Sequence, residues 1–206
     1  MKKKSWIREW LEALLDACVM MLLVKTFVLQ SCKIPTGSME PTLHGDMKYG
    51  DRVFVSKFSH IMHPIQRGDI VVFSVARIKG LDPAKTYVKR LVGLPGDKLE
   101  IRDGHIYIND RQLEFPDIFR YNQYYNLPYE QGSYGLTDTP VIVPENCYFV
   151  LGDNSGSSYD SRFWGFVPKE SVMGTVLLIY WPFPRFHVFV RPHPRLNLYL
   201  NSTTRA

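Results

Sequence analysis

The apolar residues after residue 30 occur in short runs separated by turn signals, and this spacing limits the fold more than any other feature of the chain. Short runs of about four to eight apolar or alternating residues are typical of strands, whereas a helix shows a longer pattern with a period of about 3.6 residues. The runs lie near residues 51–58, 70–75, 87–92, 99–101, 106–108, 141–143, 148–151 and 172–180. Many closely spaced strands without a long helical pattern predict a mainly β domain.

Composition and charge narrow the class of protein further. The 206 residues are 45% apolar and 22% charged, which is typical of a globular chain of one or two domains. The net charge of +5 is not gathered into a basic stripe, so we expect no nucleic-acid partner. Three cysteines are too few for a disulfide framework. His60 and His63 lack further ligands at a recognised spacing, so they are interpreted as surface loop residues, and no metal or cofactor is predicted.

The first 30 residues differ from the rest of the chain. Lys2–Lys4 and Arg8 precede a helical apolar segment over residues 10–30. A basic flank before an apolar helix predicts one uncleaved transmembrane anchor, with residues 1–9 in the cytoplasm and the remainder outside it. Three alternatives stay open: a cleavable signal peptide, a lipoprotein signal ending at Cys32, and an amphipathic helix packed on the domain.

Residues 114–140 are rich in tyrosine and have weak periodicity. They include Tyr121, Tyr124, Tyr125, Tyr129 and Tyr134. An irregular surface excursion is the favoured interpretation, and a peptide- or carbohydrate-binding patch is the alternative.

Ser38 is the first candidate for chemistry. It lies between Pro35 and Pro41, which stiffen the segment, and follows Gly37, which allows a close backbone approach. A serine nucleophile needs a base, and neither a Gly-x-Ser-x-Gly elbow nor a Ser-x-x-Lys motif is present. Taken alone, Ser38 is therefore interpreted as an ordinary turn serine.

Lys89 is the candidate base. In a strand over residues 87–92 it would share a face with Tyr87 and Leu91. A free lysine titrates near ~10.4, so a lysine base has to be desolvated. The strand pattern alone favours a lysine whose amine reaches solvent over one that is buried.

A third segment, residues 152–162, is dense in Asp, Asn, Ser and Gly and predicts a tight, hydrogen-bonded loop. Calcium binding is an alternative interpretation, although the spacing does not match an EF-hand. Asp160 and Arg162 are expected to form a structural salt bridge.

These segments together resemble the bacterial type I signal peptidases, membrane-anchored Ser/Lys proteases that remove signal peptides from exported preproteins. Four stretches match in family order: 38–43, 50–57, 67–73 with 87–97, and 152–165. Two departures are a longer stretch over residues 44–49 and Ser155, which stands where many members have arginine.

The resemblance implies a role for each matching residue. Ser38 would be the nucleophile and Lys89 the general base, with the Ser38 N–H and the Thr36 hydroxyl forming the oxyanion hole. Ser158 would hydrogen-bond the Lys89 amine. The remaining supporting residues would be Arg90, Asp153, Asp160 and Arg162.

The resemblance also implies specificity and architecture. The family cleaves after small-x-small sequences such as Ala-x-Ala, so shallow apolar pockets are expected, lined by Ile34, Pro35, Met39, Leu43, Val53, Val72, Tyr87 and Val88. The implied fold is an antiparallel β catalytic core over 31–102 and 144–206, an inserted smaller β subdomain over 103–143, and one N-terminal transmembrane helix. The site would lie on the outer side of the bacterial cytoplasmic membrane, with preproteins and the lipid bilayer as partners.

Two other functions are carried as alternatives. One is a specialised Ser/Lys maturation peptidase, which would prefer a single substrate. The other is a membrane-anchored β module that binds peptides without cleaving them.

Overall fold

The computed structural model describes residues 6–23, 28–58, 64–125, 134–135 and 139–189. His60, His63 and Tyr129 lie outside these ranges, so their predicted surface positions stay predictions.

The described chain begins with one long helix, which is followed by strands and short helical segments. Its helices are α1 (Trp6–Leu23), α2 (Ile118–Tyr121) and α3 (Ser161–Trp164). Its strands are β1 (Leu29–Lys33), β2 (Arg52–Ser56), β3 (Ile70–Ser74), β4 (Thr86–Gly93), β5 (Lys98–Arg102), β6 (His105–Ile108), β7 (Arg111–Gln112), β8 (Val141–Ile142), β9 (Cys147–Leu151), β10 (Val167–Pro168), β11 (Val172–Trp181) and β12 (His187–Val188).

The larger sheet runs in the order β1-β2-β11-β3-β4-β9-β10, with β12 paired to β11, and every pairing is antiparallel. This arrangement confirms the predicted mainly antiparallel β fold. Strand β4 lies inside the sheet between β3 and β9, with Lys89 opposite Val71. An interior strand that is covered on a face buries even a charged side chain on that face.

The smaller sheet has the order β7-β6-β5-β8. Asp103 and Gly104 have positive φ angles at the β5–β6 turn, and Arg102 pairs with His105, so these two strands form a tight hairpin. Its first strand begins at Lys98, ahead of the predicted start of the excursion at residue 103. Leu99 and Ile106 of this sheet pack with Phe149 of the larger one.

The segment that carries Ser38 packs on the larger sheet. Ile34, Met39 and Leu43 share a buried cluster with Val53 and Val72, and these five side chains are at most 2% exposed. Burial of this much apolar surface holds the loop after β1 against the sheet.

Apolar side chains of α1 lie exposed, including Trp10, Leu14 and Leu15, and Arg8 pairs with Glu12 one turn later. Among the described residues, no helix combines the length and the apolar composition that crossing a bilayer requires. The transmembrane anchor therefore stays a prediction.

Candidate active site

Ser38 occupies the middle of a 3₁₀ turn, Gly37–Met39, that follows β1. The backbone N–H of Asn154 donates to the Ser38 carbonyl at 3.1 Å, and Asn154 Nδ2 donates to the Gly37 carbonyl at 3.1 Å. The turn is thus held from the opposite loop by backbone and amide contacts, and the Ser38 hydroxyl is left for other partners.

Two glycines make this close packing possible. A Cβ at Gly45 would lie 1.8 Å from the Thr36 carbonyl oxygen, and one at Gly152 would lie 2.4 Å from the Ser38 carbonyl oxygen. Since real side chains do not approach a backbone so closely, any other residue would push the turn away. The conformation around Ser38 is therefore fixed by backbone contact on two sides.

The Lys89 amine reaches Ser38 directly. Lys89 Nζ donates to Ser38 Oγ at 2.6 Å, and the two residues are 5% and 8% exposed. The interpretation of Lys89 as solvent-reaching, which the strand pattern favoured, is therefore wrong. A pattern within one strand does not show which distant segment covers it, and here the Ser38 turn does.

Burial determines the protonation of Lys89. Removal of the amine from water lowers the pKa of Lys89 from 10.5 to about 8. The charges of Asp160 and Asp153 oppose this shift, and that of Arg162 adds to it. A lysine with a pKa of about 8 has a substantial neutral fraction near physiological pH, as a general base requires.

Arg90, the next residue of β4, forms an ion pair instead. Its Nε and Nη2 donate to the two carboxylate oxygens of Asp153 at 2.7 and 2.6 Å, and its Nη1 donates to the Gly68 carbonyl at 2.7 Å. Thr42 Oγ1 also donates to Asp153 at 2.5 Å. The pair ties β4 to the Asp153 loop and to the segment after Ser38.

Asp160 and Arg162 form the expected salt bridge. Arg162 Nε and Nη2 donate to the Asp160 carboxylate at 2.8 and 2.9 Å, and the Gly152 N–H donates to Asp160 Oδ2 at 2.9 Å. Arg162 Nη1 donates to Ser155 Oγ at 2.6 Å, so Ser155 accepts a hydrogen bond at the place where an arginine was expected from the family. Both acidic side chains of the loop are bound by arginine.

Ser158 departs from its expected contact. Its Oγ is buried and has no hydrogen-bond partner among the described residues, so the expected bond to Lys89 is not formed. A Cβ at Gly152 would lie 2.2 Å from this oxygen, which shows that Ser158 packs on the Gly152 backbone. Gly152 also packs against the Ser38 carbonyl, so the same glycine lies next to both serines.

An open cavity of about 790 Å³, here called the Ser38 cavity, contains the Ser38 and Lys89 side chains. Thr36 lies on its wall, and its side chain makes no capping hydrogen bond to the turn. The predicted pocket residues on its wall are Ile34, Pro35, Met39, Val72, Tyr87 and Val88. Leu43 and Val53 do not line it, because both are fully buried in the core below.

Other residues of this cavity were not predicted. They are Cys32, Lys33, Met47, Lys85, Thr86, Ser157 and Tyr159. Most of them lie in loops or at strand ends that are far apart in the sequence. The order of the strands in the sheet brings them together, so no local sequence pattern predicts their place at the cavity. Ser157 and Tyr159 flank Ser158 in the predicted loop over residues 152–162. The high content of Asp, Asn, Ser and Gly in that loop was the one sequence feature that pointed to them.

Asp51, from the second matching segment, has a structural place. Its carboxylate accepts from Arg185 Nε at 2.8 Å, from Arg185 Nη2 at 3.0 Å and from the His44 N–H at 2.7 Å. These bonds close the loop over residues 44–51, which contains Gly45. Arg185 was not predicted, because nothing near it in sequence marks a partner for Asp51.

A serine hydroxyl in contact with a buried, weakly basic lysine at an apolar cavity defines a class of site. The amine can take the hydroxyl proton, and the freed oxygen can attack a carbonyl carbon. Attack by an activated serine oxygen is the chemistry of a serine peptidase.

Comparison with known proteins specifies the class. Residues 7–181 match the family described as signal peptidase, peptidase S26. A probable signal peptidase I-2 of Synechocystis is 37% identical, with 89% of this chain and 80% of that protein covered. Signal peptidase I of Bacillus licheniformis is 37% identical, with 88% and 92% covered. A crystal structure of signal peptidase I from Enterococcus faecalis is 38% identical over 55% of this chain and 97% of that one, with a TM-score of 0.41.

The chain belongs to the signal peptidase family. It is a serine endopeptidase that removes signal peptides from preproteins.

Proposed function

We propose that Ser38 Oγ is the nucleophile of this signal peptidase and that Lys89 Nζ is its general base. The observation that carries this proposal is the 2.6 Å contact between these atoms in a buried setting. The lowered pKa of Lys89, about 8, supports it, since a neutral amine can accept the serine proton.

The Ser38–Lys89 contact and the resemblance to signal peptidases support the following steps. Lys89 takes the proton of Ser38 as Oγ attacks the carbonyl carbon of the scissile bond. The Ser38 N–H and the Thr36 hydroxyl donate to the oxyanion that forms, an interaction that strengthens in the transition state. Lys89 then protonates the leaving amine, and a water that it activates hydrolyses the acyl-enzyme. Arg90, Asp153, Ser158, Asp160 and Arg162 keep the two reacting side chains in place.

Substrate choice is assigned to the apolar wall of the Ser38 cavity. Ile34 and Met39 are 2% and 1% exposed, so their side chains form a filled floor rather than a deep pocket. A filled floor accepts small side chains and excludes large ones, as cleavage after small-x-small sequences requires. The extended substrate would pair with the segment before Ser38 or with β4.

The membrane placement is also part of the proposal. A basic N-terminal segment and the exposed apolar side chains of α1 support an N-terminal anchor, with the active site on the outer side of the bacterial cytoplasmic membrane. The larger sheet would form the catalytic core, and the smaller sheet, which begins at Lys98, would form the inserted subdomain.

The test is cleavage of a preprotein with an Ala-x-Ala site by the detergent-solubilised full chain, with Ser38→Ala and Lys89→Ala beside it. We expect the wild type to cut at that bond and both folded variants to be inactive. Equal cleavage by all three would contradict the assignment of the pair. A panel of unrelated preproteins separates a general peptidase from a specialised one, which would cut a single member.

A further inference from the structure

A second cavity of about 530 Å³ lies beside the Ser38 turn, and we call it the Glu40 cavity. The established activity and the proposed mechanism leave it without a role. Its walls come from three places in the chain: the residues just after Ser38, the tyrosine-rich segment and the loop of Asp153. They are Glu40, Pro41, Tyr121, Asn122, Gln123, Tyr125, Asp153, Asn154, Ser155 and Gly156.

The two cavities are separated by a ridge that carries Ser38. The 3₁₀ turns Gly37–Met39 and Ser155–Ser157 form this ridge, and Asn154 joins them through its bonds to the Ser38 and Gly37 carbonyls. Ser38 and Ser157 face the Ser38 cavity, whereas Glu40 and Ser155 face the Glu40 cavity. Both cavities therefore border the Ser38 turn, and each is lined by residues next to it in the chain.

Hydrogen bonds hold the far wall of the Glu40 cavity in place. The Tyr125 N–H donates to Ser155 Oγ at 2.8 Å, and Asn122 Nδ2 donates to the Asp153 carbonyl. Arg162 donates to the Tyr125 carbonyl and to Ser155 Oγ. The cavity is thus built from the same loop that carries Asp160 and Arg162, and its shape is coupled to the active site.

Charge reverses across the ridge. The Ser38 cavity is lined by Lys33, Lys85 and Lys89 and by no carboxylate. The Glu40 cavity is lined by Glu40 and Asp153 and by no lysine or arginine. A peptide lying across the ridge would therefore meet basic groups on one side of the cut and acidic groups on the other.

Glu40 is the carboxylate with capacity for a ligand. The Asp153 carboxylate is already bound on both oxygens by Arg90. Glu40 Oε1 contacts His44 Nδ1 at 3.0 Å and accepts from the Gly45 N–H at 3.4 Å, whereas Oε2 has no donor among the described residues. The Glu40 side chain is 37% exposed, so a cation can approach it.

We propose that the Glu40 cavity binds the first residues of the mature chain, on the leaving-group side of the scissile bond, and that Glu40 favours a lysine or arginine there. Tyr121 and Tyr125 are 76% and 54% exposed, and their rings offer apolar surface for the stem of such a side chain and a face for its charge. This inference rests on the proposed function of Ser38 and Lys89, since it takes Ser38 as the point of cleavage.

The experiment uses the full chain in detergent and preprotein substrates that differ only after the cleavage site. Lys, Gln or Glu is placed in turn at each of the first five mature positions, and kcat/KM is measured for each substrate. We expect Lys to be favoured over Glu by roughly three- to tenfold at one or two positions, the size of a partly screened surface charge contact. The ratio should fall as salt is raised.

Variants assign the preference to Glu40. Glu40→Gln should bring the Lys-to-Glu ratio close to one. Glu145→Gln is the matched control, because it removes the same charge from an exposed residue that lines neither cavity, and it should keep the wild-type ratio. Tyr121→Lys adds a positive charge on the opposite wall without touching the Ser38 turn, and it should lower or invert the ratio.

The outcomes separate the inference from the proposed function. A wild type that cleaves the Gln substrates with a ratio of one at every position overturns the inference and leaves the Ser38–Lys89 proposal standing. A ratio that persists in both Glu40→Gln and Tyr121→Lys overturns the assignment to this cavity. A wild type that cleaves no substrate, while folded, overturns the proposed function and the inference together.

Discussion

Lys89 and Arg90 are neighbours on one strand, are 5% and 6% exposed, and have opposite surroundings. The guanidinium of Arg90 is bound by both oxygens of Asp153 and by a backbone carbonyl. The amine of Lys89 meets a serine hydroxyl at 2.6 Å and has no carboxylate within ion-pairing distance among the described residues. The strand thus places Arg90, whose charge is paired with Asp153, on one face. It places Lys89, whose amine has no such partner among the described residues, on the other.

One strand thus serves both the structure and the chemistry of the site. Desolvation acts on both side chains, but Asp153 outweighs it for Arg90 and raises the pKa of that guanidinium. For Lys89 desolvation is the largest influence, and it lowers the pKa to about 8. Arg90 keeps its charge and stabilises the fold, whereas burial disfavours the charged form of Lys89 and makes it suitable as a base.

Removal of the Lys89 amine should abolish most of the activity. Lys89→Met keeps the length of the side chain and the apolar surroundings but removes the amine, so we expect kcat/KM to fall by about 10³-fold or more. Lys85→Met is the control, since Lys85 lines the same cavity without contacting Ser38, and it should stay within a few-fold of wild type. Cleavage of an Ala-x-Ala preprotein measures both, and comparable losses in the two variants would contradict the role of Lys89.

Loss of the Arg90–Asp153 ion pair should lower the stability of the protein. Asp153→Ala leaves the Arg90 guanidinium buried and without its carboxylate, so the free energy of unfolding should fall by about 3–5 kcal/mol. Glu114→Ala breaks an ion pair with Arg120 between residues that are 56% and 51% exposed and should cost at most about 1 kcal/mol. Urea unfolding of both variants tests the contrast, which would be lost if their midpoints moved equally.

The lowered pKa of Lys89 predicts a pH dependence in two measurements. The neutral amine is the active form, so kcat/KM should fall about tenfold per pH unit below about 8 and level off above it. The unfolded chain binds more protons than the native one between about 8 and 10.5, so the free energy of unfolding should rise with pH in that window. The rise should approach about 3 kcal/mol and should be absent from Lys89→Met. A wild-type slope that survives in Lys89→Met would assign the titration to another group.

The smallest expected effect on stability is that of Ser158→Ala. Since Ser158 Oγ makes no hydrogen bond to a described residue, its removal should change the free energy of unfolding by less than about 1 kcal/mol. Thermal unfolding measures this change. The pH dependence of kcat/KM below about 8 distinguishes two roles for Ser158. If Ser158→Ala has the same profile as wild type, Ser158 only packs against its neighbours. If the profile moves along the pH axis, Ser158 orients the Lys89 amine during turnover.

Much of the fold was readable from the sequence because strand periodicity and turn signals are local. The runs near residues 51–58, 99–101 and 106–108 all form strands where they were predicted. The resemblance to signal peptidases brought Ser38 and Lys89 together, although they are 51 residues apart. Strand pattern alone assigned Lys89 to solvent, because covering by a distant turn leaves no trace within the strand.

The missed contacts have the same origin. Arg185 meets Asp51 across 134 residues, and Lys33 and Lys85 meet at one cavity because β1 and β4 lie on the same sheet. Leu43 and Val53 were assigned to the pocket wall because they lie in segments that match the family. A motif match does not show whether an apolar side chain lines a cavity or lies in the core beneath it. The Ser158 hydroxyl was expected to bond Lys89 but lies buried against Gly152 without a hydrogen-bond partner among the described residues.

The contacts of Gly45 and Gly152 with the backbone around Ser38 bear on how such an enzyme can change over evolution. Ser38 is held by peptide groups, and the substrate meets side chains that stand around them. Mutations on the cavity walls can therefore alter which sequences are accepted without moving the reacting atoms. A lineage could diversify its substrates by drift at the walls, while the two glycines tolerate almost no replacement.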